Sequence, residues 1–232
     1  VDGKPTWFVT DNNGVYLTFT ADEDLGALPT VTIGGQTVTT KAQPDDGQKK
    51  SYAAYLYTNG KVPQGEIAFT IDDVYPAGTA GTPVTATTDD TRVILDRTAP
   101  KIVAKGDGNT YTPASLGTAP YFREASLKLQ DNVGYRTVSL NGTVIQTQTK
   151  YDIKWGDINK LKPGSLNGAA KEGENTLTVT DWAGNEGSYT FWLDSVAPTI
   201  TKASIKGPDA NKHTVDGKPT WFVTDNNGVY LT

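Results

Sequence analysis

The chain has 232 residues, 21 basic against 26 acidic side chains, a formal charge of −5, and no cysteine or methionine. That balance offers neither the basic face of a nucleic-acid binder nor a polybasic patch for direct membrane contact, and no apolar run is long enough to cross a bilayer. Disulfides, thiol nucleophiles and cysteine-ligated zinc are excluded, and the single histidine, His213, leaves no ordinary nucleophile–base pair, so an enzyme is not expected.

Residues 1–18 read VDGKPTWFVTDNNGVYLT, and the same letters return at 215–232, an offset of 214 residues. A fixed period sets the architecture before any local reading. The expectation is one repeat unit and the start of the next, taken from a longer tandem array. Strand signals then follow in order. Residues 15–20 (VYLTFT) alternate, with Val15, Leu17 and Phe19 on one face. Residues 30–33 lead through Gly34-Gly35 to 37–40, and 51–58, 66–71, 84–88 and 92–95 complete the first half. LDRTAP (95–100) and LDSVAP (193–198) each end a strand with Asp and break it with Ala-Pro. The second half runs through 101–104, 125–130, 136–140, the hairpin pair Asn141-Gly142, 143–148, 175–180 and 188–193. Residues 157–161 are the one place where a short helical turn is expected.

Period-two alternation punctuated by Gly, Pro, Asn and Asp predicts an all-β chain of tandem immunoglobulin-like β-sandwich modules. Residues 1–100 form a module lacking its first strand, 101–198 a second module, and 199–232 the first strands of the next. A sandwich without its first strand exposes an unpaired edge. Residues 199–232 are a candidate strand donor to another copy, beside the ordinary partnership between neighbouring repeats.

Residues 177–200 (LTVTDWAGNEGSYTFWLDSVAPTI) and 130–142 (QDNVGYRTVSLNG) resemble the bacterial immunoglobulin-like (Big-type) repeats of giant cell-surface adhesins and stalks. Residues 1–100 are similar to a sister type in which VYPAG (74–78) replaces the Ala-Gly-Asn loop. The resemblance implies an extracellular, cell-surface role as an extended stalk or fibre.

In such a sandwich the loop between the second and third strands and the loop before the last strand lie at the pole where the preceding module joins. Here they carry Asp131-Asn132 and Asp181 with Asn185, and the incoming linker carries Asp96. Converging carboxylates repel unless a cation joins them, and Ca2+ takes six to eight or so oxygen ligands. The resemblance implies calcium at such junctions. Turn chemistry alone is the alternative, since Asp and Asn cap their own backbone. The corresponding set in the first module is Asp22, Glu23, Asp24, Asp72 and Asp73, with a linker carboxylate of the kind Asp194 represents.

Two further readings are open. Trp7, Trp155, Trp182 and Trp192 are candidates for a glycan-stacking platform, which would make the chain a carbohydrate-binding or accessory module of a secreted protein; core packing is the alternative. A self-assembling surface filament joined by donated strands is the other. Lys101 or Lys105 with Asp194, near Glu124, are candidates for a self-formed amide crosslink.

Overall fold

The computed structural model describes residues 4–22, 25, 27–43, 50–72, 81–105, 120–223 and 229–231. They fall into two compact units, Val1–Ser195 and Val196–Thr232. The first unit holds two β-sandwiches, each around its own core.

The first sandwich consists of β1 (Thr6–Val9), β2 (Gly14–Ala21), β3 (Thr30–Ile33), β4 (Gln36–Val38), β5 (Thr40–Ala42), β6 (Lys50–Tyr57), β7 (Gly65–Glu66), β8 (Phe69–Asp72) and β9 (Arg92–Leu95). One layer is ordered β2-β6-β5; the other comprises β1-β9-β7 and β4-β3-β8. Val15, Ala54 and Leu56 of the first layer meet Val31, Ile33, Ile71 and Leu95 of the second. Alternation explains β2: Val15 is buried and Leu17 and Phe19 are half-buried, while Tyr16, Thr18 and Thr20 face solvent.

The second sandwich follows with β10 (Lys101–Ala104), β11 (Tyr121–Phe122), β12 (Ala125–Gln130), β13 (Tyr135–Leu140), β14 (Thr143–Thr147), β15 (Trp155–Leu161), β16 (Gly173–Asp181) and β17 (Glu186–Leu193). Its layers are β10-β12-β15 and β11-β17-β16-β13-β14. Every second residue of β16 from Asn175 to Asp181 is buried, and Leu177 and Val179 pack with Leu127, Leu129, Val138 and Phe191. Asn141 and Gly142 turn β13 into β14 with φ of 52° and 80°, the left-handed pair that a two-residue hairpin requires. In both sandwiches the last strand is flanked by a short parallel partner: β1 runs beside β9 and β11 beside β17.

In the second unit β18 (Ile205–Lys206) pairs antiparallel with β21 (Tyr230–Leu231). A 3-10 turn (Asp209–Asn211) precedes the hairpin of β19 (Lys212–Val215) and β20 (Lys218–Trp221), which turns at Asp216-Gly217. That 3-10 turn is the only helical element among the described residues.

Four local expectations differ from the structure. Residues 157–161 belong to strand β15, not to a helical turn. A register irregularity between Ala125 and Leu127 and a positive φ at Lys160 put Ile158 and Leu161 in the core three residues apart, which mimics helical spacing. The 66–71 run is interrupted at Ile67 and Ala68, so β7 pairs with β9 and β8 with β3. The 84–88 run reduces to one bridge, Val84 with Ile71. The 37–40 run divides between β4 and β5, which join different layers.

Truncating Leu177, fully buried in the second core, to alanine is expected to cost about 2–5 kcal/mol in urea titration. Val144→Ala, at a side chain 60% exposed on β14, should stay within about 0.5 kcal/mol.

Candidate metal centre

Three chain segments bring carboxylates to the junction of the two sandwiches. Asp96 follows β9, its N–H donating to Val9 O at 2.9 Å. Asp131 follows β12, its N–H donating to Lys154 O at 2.9 Å. Asp181 ends β16, its N–H donating to Asn185 O at 3.0 Å. All three are buried, and one carboxylate oxygen from each lies within 4.8 Å of the others. Asp96, Asp131 and Asp181 therefore meet at one point between the two sandwiches.

The local sequence explains each placement. Asp131 Oδ1 accepts the N–H groups of Val133 and Gly134, a side-chain-capped turn. Gly134 has φ of 145°, and a Cβ there would run into the carbonyl of Tyr151, so this turn needs glycine. Asp181 Oδ1 accepts the N–H of Asn185 at 2.8 Å and Oδ2 accepts its Nδ2 at 2.7 Å. Gly187 lacks the Cβ that would strike Pro100 O, which lets the 96–100 linker lie against β17. Asp96 Oδ1 accepts from Gln64 Nε2, Thr98 N and Asn132 Nδ2 at 3.0–3.1 Å.

Asp96 Oδ2 and Asp131 Oδ2 are buried with no hydrogen-bond partner, and no Lys or Arg pairs with the three carboxylates among the described residues. Arg97 turns instead to Asp11 at 2.8 Å. Two unit charges 4.8 Å apart repel by about 3.5 kcal/mol at an effective dielectric of 20. Burial pushes the Asp131 carboxyl above its ordinary range; the Gly134 and Val133 N–H groups oppose this, and the Asp96 charge adds to it. Burial likewise raises Asp181, opposed by Asn185 and reinforced by Asp96 and Asp131. An all-oxygen, hard, anionic donor set suits a hard divalent cation and not zinc. Opposed ligands of Ca2+ stand about 5 Å apart, and the carboxylate separation fits within that span.

Asn185, a candidate ligand, presents its amide nitrogen to Asp181 Oδ2 and to Asp96 O, and its oxygen faces Thr10 Oγ1 at 3.5 Å. As placed, it braces the carboxylates. Asp22, Asp72 and Asp194 are exposed and join no such cluster among the described residues; Glu23, Asp24 and Asp73 lie outside those residues.

Gln64 was not legible as part of the site, because it arrives from a turn thirty or so residues upstream. Nor was the aromatic contact beside it. Phe8 of β1 packs on Tyr151 and Trp182 with ring centroids 5.6 and 5.8 Å apart. Arg92 donates to Tyr151 Oη at 3.2 Å, and Arg136 lies over the Trp182 ring. The tryptophans are dispersed. Trp7 and Trp155 are exposed on different sandwiches, Trp182 is half-buried at the junction, and Trp192 is half-buried on Tyr121. No two tryptophan rings pair among the described residues. Lys105 reaches Asp157 at 2.8 Å and Glu124 reaches Lys162 at 2.9 Å, so these members of the crosslink trio are engaged elsewhere.

No family model matches the chain, and no curated protein matches it. Among solved structures, tandem immunoglobulin domains of titin are similar at a TM-score of 0.29 and 10% identity, over 83% of this chain and 93% of that one.

A carboxyl whose pKa is raised by folding stabilises the fold while protonated and loses that contribution as pH rises through its folded value. In chelator, the Asp131 and Asp181 contributions should therefore decline as pH rises from the acid side through their elevated pKa values. Asp131→Asn keeps an acceptor for Val133 and Gly134 and removes one charge. The variant should melt roughly 2–4 °C above the parent in chelator at neutral pH, and the difference should vanish in acid. Thermal melts across pH read both.

Proposed function

We propose that the chain is a non-enzymatic structural repeat of a bacterial cell-surface adhesin or fibre. In this reading, Ca2+ held by Asp96, Asp131 and Asp181 stiffens the junction between its two sandwiches. The observation that carries the reading is the junction itself: three buried carboxylates from three segments, two of them with unpartnered oxygens. The tandem immunoglobulin-like architecture supports a structural repeat, and the resemblance of 130–142 and 177–200 to bacterial surface repeats supports the setting.

The residues assign the roles. Asp96 belongs to the exit of the first sandwich, while Asp131 and Asp181 belong to loops of the second. A cation bound to all three ties the exit strand of one module to two loops of the next. It supplies positive charge and coordination to oxygens that otherwise lack partners. Gln64 and Asn132 hold the Asp96 carboxylate in orientation, Asn185 does so for Asp181, and Phe8 against Tyr151 and Trp182 closes the apolar side. Stiff junctions in series would make an extended stalk, because each module in such an array contacts only its neighbours.

Calcium at a hundredfold excess over its Kd should stabilise the protein by about 2.7 kcal/mol. Asp96→Asn and Asp181→Asn should each remove most of that increment. Small-angle scattering should show a narrower range of particle lengths with calcium than with chelator. Equal melting temperatures and equal scattering in calcium and chelator would overturn the reading.

A further inference from the structure

The sequence holds five Asn-Gly pairs, at Asn13, Asn59, Asn141, Asn167 and Asn227, the last outside the described residues. Glycine puts no Cβ beside its own main-chain nitrogen, so that nitrogen can approach the preceding asparagine carboxamide closely. Both groups must be free to meet. Three of the described pairs are held apart from this. Asn141 is half-buried and its carboxamide is bonded on three sides: Nδ2 donates to Ala169 O and Asn175 Oδ1 at 2.8 and 2.9 Å, and Oδ1 accepts Thr176 N at 2.9 Å. Asn13 Oδ1 accepts Thr10 N, its main chain bonds to Thr58, and Gly14 lies in the ladder opposite Tyr57. After Asn167, the Gly168 N–H is already donating to Gly164 O at 3.2 Å.

Asn59 and Gly60 are different. Both are exposed, and no hydrogen bond engages the Gly60 N–H among the described residues. Asn59 opens a turn closed by the Val62 N–H, which donates to Asn59 O at 3.0 Å. The side chain caps the same turn, with Oδ1 accepting the Lys61 N–H at 2.9 Å. Arg97 Nη2 also donates to Asn59 O, at 2.6 Å. That oxygen belongs to the peptide group whose nitrogen is Gly60 N. A deprotonated peptide nitrogen shares its charge with its carbonyl oxygen, because amide resonance spans both atoms. A guanidinium on that oxygen stabilises the deprotonated form by a charge-assisted hydrogen bond. The Lys61 N–H acts on the other reactant, since it meets the oxygen on which charge builds when Asn59 Cγ is attacked. No Lys or Arg bonds to the peptide oxygen of Asn13, Asn141 or Asn167 among the described residues.

The geometry points to Asn59 as a site of self-modification, where the Gly60 nitrogen converts the Asn59 carboxamide to a carboxyl with Arg97 and the Lys61 N–H as activating donors. A solvent base takes the Gly60 N–H proton and the nitrogen bonds to Asn59 Cγ. The Cγ–Nδ2 bond breaks, and the departing nitrogen takes a proton from solvent and leaves as ammonia. Water then opens the cyclic imide at either carbonyl, giving aspartate or, with the chain rerouted through Cγ, isoaspartate at position 59. The isoaspartyl product lengthens the main chain by a CH2 group and turns the old carbonyl into a pendant carboxylate. Val62, buried in the first core, then loses the main-chain acceptor of its N–H. Gln64 of the same loop donates to Asp96 Oδ1 and Thr98 Oγ1, so the altered loop is the one that braces the linker leaving the first sandwich. The reaction needs no metal ion and stands apart from the calcium reading.

The full chain is incubated at mildly alkaline pH, in buffer and in urea, and peptide mapping with electron-transfer fragmentation reads aspartate and isoaspartate at each Asn-Gly pair. In buffer, conversion at Asn59 should lead that at Asn13, Asn141 and Asn167 by at least about tenfold. In urea the four rates should converge, because folding no longer separates them. Arg97→Gln should slow Asn59 by about tenfold and leave the other three pairs unchanged, while Arg97→Lys, which keeps a cation, should retain most of the rate. Gly60→Ala, at a position with open space for a Cβ, should slow it severalfold. A variant that fails to fold would instead show the equal rates seen in urea, which separates lost activation from lost folding. Equal conversion of the four pairs in buffer overturns the proposal. So does an Asn59 rate that is unchanged or raised in folded Arg97→Gln.

Discussion

The last strand of each sandwich needs a neighbour on both sides, and the chain meets this need with short parallel strands placed before the body of the module. β1 lies against β9 and β11 against β17. Much else follows from that pairing. The N–H of Asp96 bonds to Val9 and the N–H of Asp194 to Phe122, so the residue leaving each sandwich is fixed by that short parallel strand. A backbone group with a nonlocal partner cannot drift, and this is how a linker residue such as Asp96 becomes part of a rigid site.

Rigidity is what makes the acidic junction chemically unusual. Flexible acidic loops separate their charges into water at little cost. Here the Asp131 turn, the Asp181–Asn185 loop and the β9 exit hold three carboxylates together, and burial and neighbouring charge both raise the Asp131 and Asp181 carboxyls above their ordinary range. Protonation or a bound cation relieves the same strain, and the two compete for the same oxygens. Phe8 packs on Tyr151 and Trp182 across the same junction, so apolar packing and charge meet there.

Parts of this were plain in the letters. Alternation located β2, β3, β6, β12, β13, β16 and β17 because each has one wet and one buried face, and Asn141-Gly142 announced its own turn. The three segments that carry Asp96, Asp131 and Asp181 could be placed at one pole from strand order alone. Other parts were illegible for physical reasons. β1 and β11 are too short to show a period, and a parallel partner leaves no turn signature. The irregular register in β15 replaced alternation with a spacing of three. Gln64 and the Phe8 cluster reach the junction only through contacts between distant segments.

The repeated phrase shows the division most clearly. Sequence by itself determined that there is a repeat, that the chain is all-β, which faces of its strands are apolar, and which loops are acidic, because these depend on composition and local period. Tertiary structure decided what the same letters do. In the first copy Thr6–Val9 runs parallel to β9, and Trp7 is 67% exposed. In the second copy Lys218–Trp221 folds back on Lys212–Val215 as a hairpin, and Trp221 is half-buried beneath Gly207. Identical side chains carry identical preferences, but a strand's hydrogen bonds are completed by whatever segment lies beside it. That neighbour is the distant strand β9 in the first copy and the adjacent hairpin arm β19 in the second, and in neither case is it set by the strand's own residues.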